Sequence, residues 1–271
     1  MLHSVKIIRI KQGAKMKFSD LHGRVAAITG GARGLGYSIA EALAAQGCSV
    51  ALLDILPDVA ASASKLATEY GVATFSAHAD VTDPDSLAAA FAAARETLGT
   101  PQILVTAAGI TVWNDSIDVA ASEWRKVMSV NLDGTFFASQ AFAKGLFAAE
   151  MPGSAIFISS MSGFVVNVPQ NQASYNSSKA AVTQLAKSLA VEWASRRVRV
   201  NAVAPGYFLS DMTRQFTEQN PDLAADWVAR IPAGRMGEPK DLHGLVTYLA
   251  SDASSYVTAQ NLVIDGGYTA I

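Results

Sequence analysis

A single cysteine, Cys48, stands in 271 residues, so no intrachain disulfide can form and a disulfide-stapled secreted scaffold is excluded. Charge is scarce, at 16 % of residues, and nearly balanced: 21 Lys+Arg against 23 Asp+Glu leave a formal net charge of −2. That balance removes the basic footprint expected of a nucleic-acid partner. Only four histidines occur, His3, His22, His78 and His243, and no two share the HExxH spacing, so no metal site is expected. No apolar run approaches the ~20 residues of a membrane span. The first seventeen residues, MLHSVKIIRIKQGAKMK, carry Lys6, Arg9, Lys11, Lys15 and Lys17 without one acid. VKIIRIK is too short and too charged for a signal-peptide core, so residues 1–17 read as a loosely attached basic extension. A reducing, cytoplasmic location is the expectation.

What the chain has in quantity is apolar material, 50 % of residues, enough for a substantial core. Short aliphatic or β-branched runs recur from residue 24 onward: VAAIT (25–29), SVALLD (49–54), ATFSAHA (73–79), ILVTA (103–107), AIFIS (155–159), VRVNAV (198–203) and NLVID (261–265). Most are continuously apolar rather than alternating, as strands covered on both faces must be. Helical patterns separate them at about 35–47, 58–70, 84–98, 120–149, 174–196 and 239–252. Strand and helix in alternation predict parallel crossover units. The fold class expected is therefore α/β, one doubly wound parallel seven-stranded sheet with helices on both faces, spanning 18–271 as one domain. Residues 207–237 interrupt the rhythm with an amphipathic stretch too long for a plain connection, which predicts a lid.

The first strand runs into TGGARGLG (29–36) and then a helix. Gly30, Gly34 and Gly36 make a turn without Cβ atoms, so backbone can approach a diphosphate where helix N–H groups and dipole favour an anion. Arg33 and Leu35 lie in the same loop. Asp54 ends the second strand, where an acid accepts hydrogen bonds from an adenosine ribose diol and repels a 2′-phosphate. Arg33 pulls the other way. On balance NAD is preferred over NADP.

Tyr175 and Lys179 are four residues apart at the start of a helical pattern and so share a face. A free phenol ionises near pH ~10 and is a poor base at neutrality. A fixed ammonium and an oxidised nicotinamide beside it would favour the phenolate, which could then take a proton from an alcohol as hydride leaves its carbon. The spacing alone is common by chance. Taken in order, however, TGGARGLG, Asp80–Val81, AAG (107–109), Asn131 in SVNLDG, ISSMSG (158–163), YNSSK (175–179), VNAVAPGY (200–207) and IDGGYT (264–269) resemble the short-chain dehydrogenase/reductase family. The resemblance runs from about residue 20 to the end and implies a Rossmann-type fold.

It also implies roles. Ser160 matches the serine that hydrogen-bonds the reacting oxygen, with Ser159 and Ser162 as weaker candidates. Tyr175 matches the acid/base, and Lys179 binds the nicotinamide ribose and tunes the tyrosine. Asn131 matches the asparagine whose backbone carbonyl holds a water in a proton relay. Asp80 and Val81 would contact adenine. Ala108 and Gly109 would offer backbone to the cofactor, and Pro205, Gly206, Phe208 and Ser210 match the segment that holds the carboxamide. One departure stands out: Thr106-Ala107-Ala108-Gly109 replaces the usual N-N-A-G, so both asparagine side chains are missing.

For the substrate, Asn167, Gln170, Trp113 and Tyr207 are the candidate contacts beside Ser160 and Tyr175. Amides with aromatic walls suit a small polyhydroxylated molecule, whose hydroxyls would pair them. The wording also resembles members acting on sugar alcohols and keto-sugars, such as galactitol, arabinitol and gluconate dehydrogenases. Competing readings are a 3-oxoacyl-carrier-protein reductase, a hydroxysteroid or broad secondary-alcohol dehydrogenase, and a nucleotide-binding regulator without turnover. The helices at 120–149 and 174–196 are apolar on more than one face, which predicts a homotetramer, or a dimer.

Overall fold

The computed structural model describes residues 17–271. Apart from Lys17, the expected basic extension lies outside the described residues. Seven parallel strands form one sheet in the order β3-β2-β1-β4-β5-β6-β7: β1 (Val25–Thr29), β2 (Ser49–Asp54), β3 (Thr74–His78), β4 (Ile103–Thr106), β5 (Gly153–Ile158), β6 (Val198–Pro205) and β7 (Asn261–Ile264). The order reverses between β1 and β4, which pair Ala26 to Ile103 and Thr29 to Thr106. A crevice opens at such a switch point, outside the carboxyl ends of the strands.

Period-two alternation divides the core into two layers. Ala26, Ile28, Val50, Leu52, Ile103 and Val105 face one layer, with α1 (Gly34–Ala44), α2 (Val59–Tyr70) and α9 (His243–Ala250). Ala27, Ala51, Leu53, Leu104, Ala155 and Phe157 face the other, with α3 (Pro84–Leu98), α5 (Gly134–Ala148) and α6 (Ala173–Trp193). With both faces covered, the central strands can be apolar at every position, and β1 is buried throughout.

The pattern at 120–149 is not one helix. α4 (Ala121–Met128) passes through a π turn at Ser129–Asp133 into α5. π turns inside helices concentrate at functional sites, and Asn131 occupies this one. The excursion at 207–237 holds two short helices, α7 (Asp211–Gln219) and α8 (Pro221–Ala229), joined at Asn220–Pro221. They share a small core of their own, with Trp227, Ile231 and Met236 packed on Tyr207 and on Met161.

Candidate active site

Ser160 leaves β5 in extended backbone and caps a short turn, Met161–Gly163, by accepting the Ser162 N–H at 3.1 Å. Its neighbours have other duties. Ser159 Oγ donates to the Lys179 carbonyl at 3.0 Å, and Ser162 Oγ donates to Asn167 Oδ1 at 2.6 Å. Ser160 alone of the three hydrogen-bonds the Tyr175 phenol. The turn lies directly on α6: a Cβ on Gly163 would stand 3.0 Å from the Ala180 nitrogen. That contact sets the serine loop against the helix carrying Tyr175.

Tyr175 and Lys179 share one face of α6, with Lys179 Nζ 5.6 Å from the centre of the Tyr175 ring. Lys179 is buried and donates to the Ile158 carbonyl at 2.8 Å. Burial disfavours its charged form and pushes its pKa down to about 8. Tyr175 is half-buried. Burial raises its phenol above the ordinary value, and the Ser160 hydroxyl opposes the rise. Without a nucleotide beside it, loss of hydration dominates at the phenol, and the Lys179 ammonium is held by a main-chain carbonyl.

Asn131 is fully buried, and its side chain does more than the resemblance assigned to it. Oδ1 accepts the Ile110 N–H at 2.8 Å, while Nδ2 donates to the Ile110 carbonyl and to Ser178 Oγ, both at 2.9 Å. Its backbone carbonyl accepts from Thr135 Oγ1 at 2.8 Å. A Cβ on Gly109 would meet Asn131 Oδ1 at 3.4 Å and Lys179 Nζ at 3.5 Å, so the end of β4, the π turn and α6 converge here.

The glycine turn divides its labour. A Cβ on Gly36 would stand 2.1 Å from the Gly30 carbonyl oxygen, and one on Gly30 would stand 2.5 Å from the Ala108 nitrogen. Both glycines are needed for the loop to pack on itself and on the end of β4. Gly34 differs: its φ is +62° and the nearest atom to its missing Cβ is 4.0 Å away. α1 starts there, after the exposed Arg33, with no side chain capping its N-terminus. Uncapped N–H groups beside open space fit a diphosphate. Leu35 is partly buried against the core.

Asp54 is buried, accepting the Ala32 N–H at 2.9 Å and the Leu56 N–H at 3.0 Å. A carboxylate has about four lone-pair sites, so two remain for ribose hydroxyls. Asp80 Oδ1 holds the Thr82 N–H and hydroxyl, both at 2.8 Å. Val81 is buried against Gly134, which leaves its backbone rather than its side chain for a nucleotide. Phe208 is likewise a core side chain packed on Gly237, and Ser210 Oγ caps α7 by accepting the Thr213 N–H. Pro205 ends β6, and Gly206 is held against Asp265, where a Cβ would meet the Asp265 Cα at 2.7 Å. Where the two asparagines are missing, Thr106 Oγ1 is buried without a partner among the described residues.

The two amides expected to meet substrate are hydrogen-bonded within the protein, and Gln170 also lines a cleft. Asn167 Nδ2 donates to the Tyr207 hydroxyl, which donates in turn to Gln170 Oε1, and all three residues are buried. Burial also raises the Tyr207 pKa. Trp113 is 40 % exposed and lines a cleft of about 440 Å³ with Asp115, Gln170, Asn171 and Leu223. Ser178, Asp115 and the Ile158 carbonyl were not anticipated. Ser178 sits within YNSSK and was open to notice; a main-chain acceptor leaves no trace in sequence.

A family model described as Enoyl-(Acyl carrier protein) reductase matches residues 30–269. A galactitol 2-dehydrogenase (L-tagatose-forming) of Cereibacter sphaeroides is 44 % identical over 250 residues, covering 92 % of this chain and 96 % of its own. A short-chain type dehydrogenase/reductase structure from Mycobacterium marinum superposes with a TM-score of 0.88 at 38 % identity, covering 94 % of this chain and 98 % of its own. The chain belongs to the short-chain dehydrogenase/reductase family. As a member it is a nicotinamide-dependent oxidoreductase that interconverts a secondary alcohol and a ketone. Relatives differ in cofactor. An NADH-dependent L-xylulose reductase of Ambrosiozyma monospora is 40 % identical, covering 91 % of this chain and 95 % of its own. A structure from Agrobacterium tumefaciens with TM-score 0.85 and 34 % identity, covering 94 % and 100 %, holds NADP.

Proposed function

We propose that this short-chain dehydrogenase/reductase acts on a polyol or keto-sugar with NAD as its preferred cofactor, in the cytoplasm and as a homotetramer. The observation that carries the chemistry is the convergence of Ser160, Tyr175 and Lys179 beside Gly109. The bound nicotinamide supplies or accepts the hydride. Ser160 and Tyr175 hold the reacting oxygen between two hydroxyls, and Tyr175 gives or takes its proton. Lys179 supplies a buried positive charge one turn away, and Asn131 fixes the strand end on which Gly109 sits.

Polyol use is supported by the curated relatives named for galactitol and L-xylulose. Preference for NAD is supported by Asp54, a buried carboxylate at the end of β2 that would meet a 2′-phosphate with like charge. Arg33 and Lys65 line an adjacent cleft of about 350 Å³ with Glu41. Their charges are partly offset there, so Asp54 decides. Assembly is supported by Trp124 (40 % exposed), Phe136 (38 %) and Val191 (76 %), apolar residues on α4, α5 and α6 that sheet packing leaves uncovered. Among the described residues no helix is long and apolar enough to cross a membrane.

Tyr175→Phe tests the chemistry. Turnover of every alcohol or ketone should disappear while nucleotide affinity stays within about twofold, because only the proton-carrying oxygen is removed. Retained turnover would reject the assignment. A polyol panel run with NAD⁺ and NADP⁺ tests the substrate class and cofactor, and a monomer mass in light scattering rejects the tetramer.

A further inference from the structure

The cleft beside the catalytic loop has a polarity that the reaction does not require. Its apolar walls are Trp113, from the segment after β4, and Leu223, from the first turn of α8. Its polar lining comes from Asn114, Asp115, Gln170 and Asn171. The two loops are pinned together there: the Asn114 N–H donates to the Asn171 carbonyl at 2.9 Å, and Asn171 Nδ2 donates to Asp115 Oδ1 at 2.5 Å. Asp115 is exposed, and among the described residues no other side chain bonds its carboxylate. No Lys, Arg or His is among the described residues that line the cleft. The two pinned loops continue the catalytic segments. Gly109 stands beside Lys179 and Asn131, four residues before Trp113, and Asn171 precedes Tyr175 by four.

We infer that Asp115 is a specificity-determining residue that accepts hydroxyl donors from the distal end of a neutral polyhydroxy chain and rejects chains ending in a carboxylate. The inference rests on the polyol reading of the same site. An ionised carboxylate accepts only, so it matches alditol or ketose hydroxyls, which donate. A sugar acid brings a second anion into a cleft without a compensating cation. Asp115 is exposed, so the discrimination is set by a screened charge rather than a buried one.

The test compares kcat/KM for galactitol, gluconate and a simple secondary alcohol such as 2-butanol, in the parent, Asp115→Asn and Asp115→Lys. The parent should favour galactitol over gluconate. Asp115→Asn should raise the gluconate-to-galactitol ratio about two- to fivefold, the scale of one screened charge pair. Asp115→Lys should raise it further, and high salt should shrink the differences. A substitution on an exposed loop leaves the core untouched, and nucleotide-binding titrations confirm that each variant is folded. Brisk galactitol turnover with a ratio unmoved by both variants overturns the role of Asp115 and leaves the polyol reading standing. A parent that prefers gluconate overturns it equally. Turnover of 2-butanol without any of galactitol overturns the polyol reading and this inference with it.

Discussion

Replacing Asn131 with alanine separates two accounts of that residue. If its part is a backbone carbonyl that holds a water, alanine supplies the same carbonyl and the protein should be as stable as before. The structure gives the side chain a larger part. It makes three hydrogen bonds, accepting from the Ile110 N–H and donating to the Ile110 carbonyl and to Ser178 Oγ. Ser178 keeps its bond to the Tyr175 carbonyl at 2.7 Å, so only the Ile110 groups lose their partner. They are part-buried, so each costs about 1 kcal/mol, and the vacated amide volume adds about as much again, ~3 kcal/mol in all. For a chain of this length that corresponds to a fall in Tm of about 6–12 °C. Nucleotide affinity should fall too, because Ile110 anchors the segment bearing Gly109 against Lys179. Thermal melts followed by circular dichroism, without and with NAD⁺, measure both effects. Asn131→Asp sharpens the comparison: it keeps an acceptor for the Ile110 N–H but turns an oxygen toward the Ile110 carbonyl, so it should melt no higher than the alanine variant. An alanine variant melting within about 1 °C of the parent would refute the anchoring argument, since that is under half a kcal/mol.

Two glycine substitutions should part company. Gly36→Ala forces a Cβ to within 2.1 Å of the Gly30 oxygen, so the loop must move, and calorimetric titration should find nucleotide binding lost. Gly34→Ala meets open space and pays only for φ of +62°, about 1–2 kcal/mol in a denaturant melt. Lys179 predicts a pH dependence of stability. Its folded pKa of about 8 lies below the unfolded value near ~10.4. Across that interval the unfolded chain binds more protons, so stability rises with pH. The unfolding free energy of the parent minus that of Lys179→Met, measured without nucleotide, should therefore increase by about 3 kcal/mol from pH ~7.5 to ~10.5. The raised tyrosines act in the opposite direction above pH ~10 but are common to both proteins and cancel. A flat difference would mean that the lysine is not desolvated.

The strands were legible because the sheet is covered on both faces. β1, β2, β4 and β5 carry apolar residues at consecutive positions, and each is buried over most or all of its length. Even the edges, β3 and β7, were found to within a residue or two, although they are only half-buried, because turns bound them. The break in 120–149 was not legible. A π turn needs neither proline nor glycine, and SVNLD continues the helical pattern on either side of it. The division of the 207–237 excursion into two helices was half-legible. Pro221 is tolerated at the start of α8, where its missing N–H has no helical partner to lose, and it forces the boundary with α7.

Within the site, legibility depended on whether a residue acts through neighbours in sequence. Tyr175 and Lys179 do, since one helical turn relates them, and Ser160 caps a turn made by the next three residues. Asn167 and Gln170 do not. Polar residues in a loop before a tyrosine look available to a substrate, yet the hydroxyl they share belongs to Tyr207, roughly forty positions away. The Tyr207 ring in turn stacks on Trp227 at 4.4 Å, and Trp227 on Phe216 at 5.7 Å. One phenol thus ties the catalytic loop to both α7 and α8. Burying the two amides is tolerable because that hydroxyl accepts from Asn167 and donates to Gln170, while Ser162 donates to the Asn167 oxygen. The buried amides hold the catalytic loop against Tyr207, and Gln170 joins the exposed Trp113 and Asp115, on the segment that leads out from Gly109, in lining the cleft.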